Sequence, residues 1–286
     1  MLANFGLRRA PSVIVQRRVA FSIYRSGTPL LTRLKYRHGV DRYVAISNRI
    51  AEVLQQDGID PQRIRVVHSG VTALPDPVRS VKELRDQLQL TDSAPLLGSV
   101  GVLSENKGHR YLIEAMALLR SRQPAAHLVL IGAGDEAEAN SIDEVANKYG
   151  VADCIHRVGF QEDVSSWFAA LDLYIHPTLE EGLGTSILDA LTATRAVIAS
   201  AVGGIPEVIE EGVTGRLVAP ADPARLAQVI DQLLDDPTTA ETLATAGKQR
   251  VEQHFSAEAM VRGNLAVHLE LIEQMHSGQT NEKVAR

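Results

Sequence analysis

From about residue 95 onward the chain alternates between short apolar runs and amphipathic stretches. The runs are Leu96–Val102, Leu128–Gly132, Ile155–Phe160, Leu173–His176, Ala196–Ala199 and Arg216–Val218. Between them lie segments such as Tyr111–Leu119, in which Leu112, Ala115, Met116 and Leu119 share one helical face. Runs that are apolar throughout are expected of parallel strands, which are buried on both faces. Strand–helix alternation predicts βαβ units with right-handed crossovers, and so an α/β, doubly wound, Rossmann-like domain. After residue 222 the strand pattern stops. Ala224–Leu234, Ala240–His254 and Ala257–Met275 are expected helices, with Ser256 as N-cap of the last and a polar, fraying tail from Gly278.

The first 75 residues differ. Val13–Val15, Tyr43–Ile46 and Ile64–Val67 are expected strands, and Ser47–Gln55 an expected capped helix. Leu74-Pro75-Asp76-Pro77 reads as a linker, since proline removes donors and favours extended chain. Three short strands bury little core by themselves. The expected division is therefore 1–75, a partial N-terminal domain; 76–255, a Rossmann-like domain; and 256–286, a helix packing back on the N-terminal part, with a tail.

Composition narrows the class. The chain has 286 residues, 45% hydrophobic and 22% charged, which excludes disorder over its length. No apolar run is long enough for a membrane span. Cys154 is the one cysteine, so neither an internal disulfide nor a cysteine zinc site is expected, and a cytoplasmic location is. Four arginines within Met1–Ala20 and no apolar core argue against a secretory signal. Charge is uneven. Residues 1–46 carry nine Lys/Arg and one acid, a net +8 that leaves −14 on the other 240 within a total of −6. A basic end on an acidic body fits either an anionic partner or arginines paired with acids elsewhere.

Four segments could carry chemistry. Gly98–His109 runs from a strand through a loop with Lys107 to a helix, where an ammonium and helix-start N–H groups suit phosphate. A surface lysine on a turn is the plain alternative. Gly132-Ala133-Gly134 follows a strand, as a close-approach loop or simply a tight turn. His176 to Leu191 contains Glu181, then Gly182, Leu183, Gly184, Thr185 and Ser186, then Asp189. Backbone N–H groups flanked by two carboxylates match a sugar nucleotide, with diphosphate between sugar and ribose hydroxyls. Ser186-x-x-Asp189 also fits a helix capping box, and Glu181 a solvated loop acid. Val202–Glu207 reads as a structural helix start, with Pro206 at the first position. No D-x-D, H-E-x-x-H or G-x-S-x-G occurs.

Taken in order, these segments resemble the retaining GT-B glycosyltransferases of family 4 (group 1). The resemblance spans about residues 10–275. It rests on Gly101–Gly108, Gly132/Gly134, the acid-x7-acid block from Glu181 to Asp189, Gly203-Gly204-Ile205-Pro206-Glu207 and Thr214-Gly215-Arg216-Leu217-Val218. Val44-Ala45-Ile46-Ser47 and Val67-His68-Ser69-Gly70-Val71 also fit. It implies a GT-B-like fold, one complete C-terminal domain plus a partial N-terminal one, facing each other across a cleft. It further implies that Lys107 binds the donor diphosphate, Glu181 the donor sugar as the catalytic residue, Gly182–Ser186 the phosphates and Asp189 the ribose. Gly132 lines the donor site, Gly159 and Phe160 lie by the nucleobase, and Gly70 lies at the cleft. No cofactor or metal is implied beyond the nucleoside diphosphate sugar, because lysine and helix-end N–H groups stabilise the departing diphosphate.

The chain departs from the pattern in three respects. Asp189 stands where the family has glutamate. Val102 and Ser104 stand where it commonly has an arginine, and Thr72 where it often has aspartate. The opening half of the acceptor domain has no counterpart, and Met1–Arg9 reads as a helix interrupted at its start, which fits either a truncated or mis-started reading of a longer gene or a genuinely short protein. The expected function is transfer of sugar, with retention, to a glycan or lipid-linked acceptor. Peripheral contact with an anionic membrane face is expected, and no nucleic-acid partner. The alternatives are a donor-binding remnant without transfer and a GT-B-like sugar-nucleotide epimerase.

Overall fold

The computed structural model describes residues 11–24 and 30–284, with side chains as far as 276. The expected interrupted helix at Met1–Arg9, and the charges of Arg8, Arg9 and Arg25, lie outside the described residues. Contacts divide the chain into two compact units. One takes the described residues to Gly70 and those from Ser256 onward; the other is Val71–Phe255. The division falls before the prolines of the expected linker. Val71 N–H donates to the Phe255 carbonyl at 2.9 Å, which ties both ends of the larger unit together.

The smaller unit holds three parallel strands in the order β1 (Ile14–Arg17), β2 (Arg42–Ala45), β3 (Ile64–Val66). α2 (Asn48–Gln56) follows β2 and is capped by Ser47, whose hydroxyl accepts from Ile50 N–H. α11 (Ala257–Val284) closes the unit, and Val44, Val67 and Val267 form a small core with Ile14 and Met260 packed on it. α11 continues past Met275, where the sequence pattern ends it, and through the tail expected to fray; no proline interrupts it. The sequence reading omitted α1 (Leu30–His38), which buries none of its residues and so shows no core-facing stripe. The basic surplus is partly paired within the unit. Arg42 and Arg65 both donate to Glu270, whose carboxyl they hold down at about 2. Arg17 and Arg33 lie over the rings of Phe21 and Tyr24.

The larger unit is a six-stranded, all-parallel sheet in the order β6-β5-β4-β7-β8-β9. Its strands are β4 (Leu96–Val100), β5 (His127–Ile131), β6 (Ile155–Gly159), β7 (Leu173–His176), β8 (Ala196–Ser200) and β9 (Arg216–Val218). Two run shorter than expected: residues 101–102 and Phe160 already belong to loops. The helices are α3 (Val81–Gln87), α4 (His109–Leu119), α5 (Glu136–Lys148), α6 (Val164–Ala170), α7 (Thr185–Thr192), α8 (Ile205–Val208), α9 (Pro223–Asp235) and α10 (Pro237–His254). Leu97, Leu128, Leu130, Ile175 and Ile198 of the strands pack with Leu112, Met116, Val229 and Ile230 of α4 and α9. Strand order reverses between β4 and β7. In open parallel sheets the crevice at the carboxyl ends of such a pair is where ligands bind.

Candidate functional site

The loops leaving β4 and β7 are tied to each other at that reversal. Leu179 N–H and the Thr178 hydroxyl both donate to the Asn106 carbonyl, at 2.8 and 3.0 Å. Gly108 has φ 67°, and a Cβ there would run into the Pro177 carbonyl. Only glycine therefore lets the β4 loop press this closely on the β7 loop. The result places Lys107, in a short turn of helix over Glu105–Lys107, against Glu181.

Lys107 Nζ lies 2.7 Å from Glu181 Oε2, and His176 Nε2 lies 3.1 Å from the same oxygen. Gly182 N–H donates to the other oxygen at 3.1 Å. Burial alone would raise the Glu181 carboxyl. The hydrogen bonds from His176 and Lys107, with the ammonium charge, outweigh it and hold the group at about 2. His176, at the end of β7, is buried and kept below its ordinary range by desolvation. Its Nδ1 lies 3.2 Å from the Tyr174 hydroxyl, which is 3.0 Å from Ser186 Oγ and 3.3 Å from the Val100 carbonyl. His109, first residue of α4, is also buried, and desolvation pushes it down to about 4.

α7 begins at Gly184, φ 91°, with no side chain capping it. Its first N–H groups, those of Thr185 and Ser186, are thus left to a ligand or solvent. The capping-box reading of Ser186 and Asp189 does not hold. Ser186 sits inside the helix with its hydroxyl on Tyr174, and Asp189 makes no side-chain hydrogen bond among the described residues. Half-buried and unpaired, Asp189 has its carboxyl pushed up to about 6 by desolvation. Leu183 is buried with its side chain in the core, so only its backbone can face a ligand.

The remaining expected residues lie along the same end of the sheet or in the other unit. Gly132 follows β5; its N–H donates to the Gly159 carbonyl at 2.9 Å, and a Cβ would strike the Gly101 carbonyl. Gly159 closes β6 and leads to Phe160, 73% exposed. Gly203 has φ 58°, and a Cβ there would meet the backbone of Glu181, so the Gly203–Glu207 turn sits against the site as a structural element. Val102, where an arginine is common, is exposed. Gly70 belongs to the smaller unit, where it packs on the Ser256 carbonyl at the start of α11. Sequence reasoning missed the roles of Tyr174 and His176. The available signal was two polar-tipped rings at i and i+2 on one face of a buried strand.

Residues 80–250 match the model of the family described as glycosyl transferases group 1. The chain belongs to that family. A lipopolysaccharide core biosynthesis glycosyltransferase, LpsE of Rhizobium meliloti, is 30% identical over 252 residues, 88% of this chain and 71% of that protein. An alpha-maltose-1-phosphate synthase of Mycobacterium tuberculosis is 33% identical over 214 residues, 69% of this chain and 54% of the relative. The chain thus spans between half and three quarters of these two relatives. Among solved structures, Anabaena Alr3699/HepE in complex with UDP and glucose superposes with a TM-score of 0.82 at 22% identity, over 94% of this chain and 73% of that one. The expected α/β GT-B-like fold is borne out, and the family is one of sugar-transferring enzymes.

Proposed function

We propose that this chain takes a sugar from a nucleoside diphosphate sugar and transfers it, with retention, to a glycan or lipid-linked acceptor. The observation that carries this reading is the pairing of Lys107 with Glu181 at the strand-order reversal, beside the uncapped start of α7. The diphosphate sits on the N–H groups of Thr185 and Ser186, and Lys107 turns from Glu181 to its oxygens. That ammonium stabilises the charge developing on the leaving diphosphate as the glycosidic bond breaks. Glu181 accepts from a hydroxyl of the donor sugar, and Asp189 accepts from the ribose. The exposed ring of Phe160 lies by the base. Lysine and backbone dipoles supply the positive field, so the step needs no metal. UDP in the HepE structure supports a uridine nucleotide as the first donor to test, and the LpsE likeness supports a glycan acceptor.

Calorimetric titration with UDP tests the reading. The native chain is expected to bind UDP. Lys107→Ala is expected to weaken binding roughly 10- to 100-fold, the worth of one charge-assisted hydrogen bond. Absence of UDP binding, or unchanged affinity in the variant, removes Lys107 from a donor site.

A further inference from the structure

Glu181 Oε2 serves two donors, Lys107 and His176, at 2.7 and 3.1 Å. On the donor reading above, Lys107 must leave this oxygen to reach a diphosphate. The carboxylate that remains is largely buried, and a buried carboxylate without a donor is costly. We propose that His176 is the positioning residue that keeps Glu181 in place when Lys107 turns to the donor, and that Tyr174 sets the histidine for this task.

The ring direction follows from the partners. Glu181 is ionised and can only accept, so the facing Nε2 carries the proton. Burial keeps His176 neutral, so Nδ1 presents a lone pair. The Tyr174 hydroxyl, fully buried, lies 3.2 Å from Nδ1, 3.0 Å from Ser186 Oγ and 3.3 Å from the Val100 carbonyl. It has one proton to give, and the proposal puts that proton on the bond to Nδ1. Ser186, Tyr174, His176 and Glu181 form one connected chain. Ser186 lies in the first turn of α7, and all four side chains belong to β7, its loop and that helix. A leucine at 176 would fill the space and leave Glu181 with the Gly182 N–H alone.

Two measurements test this. The first is a double-substitution cycle read by UDP titration. His176→Leu is expected to weaken UDP binding about tenfold, because Glu181 then resists release of Lys107. In a Glu181→Gln background, where Lys107 is already free of an ion pair, His176→Leu is expected to change UDP affinity less than twofold. His176→Gln, which keeps an N–H donor, is expected to recover most of the loss. Equal losses in both backgrounds, or no loss in the first, overturn the positioning role and leave the donor reading standing. A native chain that binds no UDP overturns both. The second is nitrogen-15 NMR of the histidine rings. The Nε2–H tautomer is expected for His176 in the native chain and in Glu181→Gln, where Tyr174 alone sets it. A mixture of tautomers is expected when Glu181→Gln is combined with Tyr174→Phe, which keeps the ring and removes the hydroxyl. An Nδ1–H tautomer in the native chain overturns the proposal whether or not UDP binds.

Discussion

Lys107 Nζ and Glu181 Oε2 are 2.7 Å apart, brought together by loops from two adjacent strands. Any anion that uses Lys107 must therefore compete with a carboxylate already there. Glu181→Gln removes the competitor and is expected to leave UDP affinity equal or a few-fold tighter, while abolishing sugar transfer. Calorimetry set beside a donor-turnover assay checks both halves, and clearly weaker UDP binding would mean that Glu181 serves the nucleotide itself.

Val102 stands on the β4 loop, exposed, where the family resemblance leads one to expect an arginine. No packing opposes a longer side chain there. Val102→Arg is expected to tighten UDP binding about tenfold by adding a second cation to the diphosphate position. A thermal scan should show no cost, since the position touches no core. Unaltered affinity would mean that this loop presents position 102 away from the nucleotide.

Asp189 offers a test with an opposite sign to the usual carboxylate. Its folded value, about 6, lies above that of an unfolded aspartate, so the fold prefers the protonated form. Stability attached to this group is complete below about pH 4 and is lost as pH rises through 6. Allowing for its partial exposure, the loss is about 1–2 kcal/mol. Asp189→Asn is expected to remove that pH dependence, to leave the melting temperature at pH 7 unchanged or higher, and to weaken UDP binding. Calorimetric melting from pH 4 to 7 reads the first two; a lower melting temperature at pH 7 would point to a structural aspartate.

Asp172 joins the sheet to α3 at the end opposite the site. Its carboxylate accepts from Leu96 N–H at 2.7 Å and from Arg85 Nη2 at 3.3 Å, and Arg85 is buried. Asp172→Ala strands that guanidinium and is expected to cost about 2 kcal/mol in urea unfolding, with UDP affinity unchanged. Arg85 keeps the carbonyls of Thr91 and Ala94, which limits the loss.

The strand pattern of the larger unit was legible because parallel strands buried on both faces announce themselves as unbroken apolar runs, as Leu128 to Ile131 does. The loop glycines and Lys107 were legible as motif. The chain Ser186–Tyr174–His176–Glu181 was not, because a tyrosine and a histidine within a strand look like ordinary core until their partners from the next loop and helix are in place. Asp189 was ambiguous for a different reason: Ser-x-x-Asp is a capping signature only if the helix starts at the serine, and here Gly184 starts it two residues earlier. α1 was missed because a helix that buries nothing carries no periodic core signal.

Five glycines line the rim of the larger sheet in backbone contacts. Gly159 takes the N–H of Gly132, Gly132 rests on Gly101, Gly108 meets Pro177 and Gly203 meets Glu181. Each contact is main chain on main chain, with no flexible side chain between to absorb a change of length. The rim therefore behaves like a course of bricks laid without mortar, in which lengthening one loop shoves its neighbours. Divergence between relatives in which nucleotide they handle should accordingly be written in the residues that project from this course, Val102 and Phe160 among them, while the lengths of the loops that form it stay fixed.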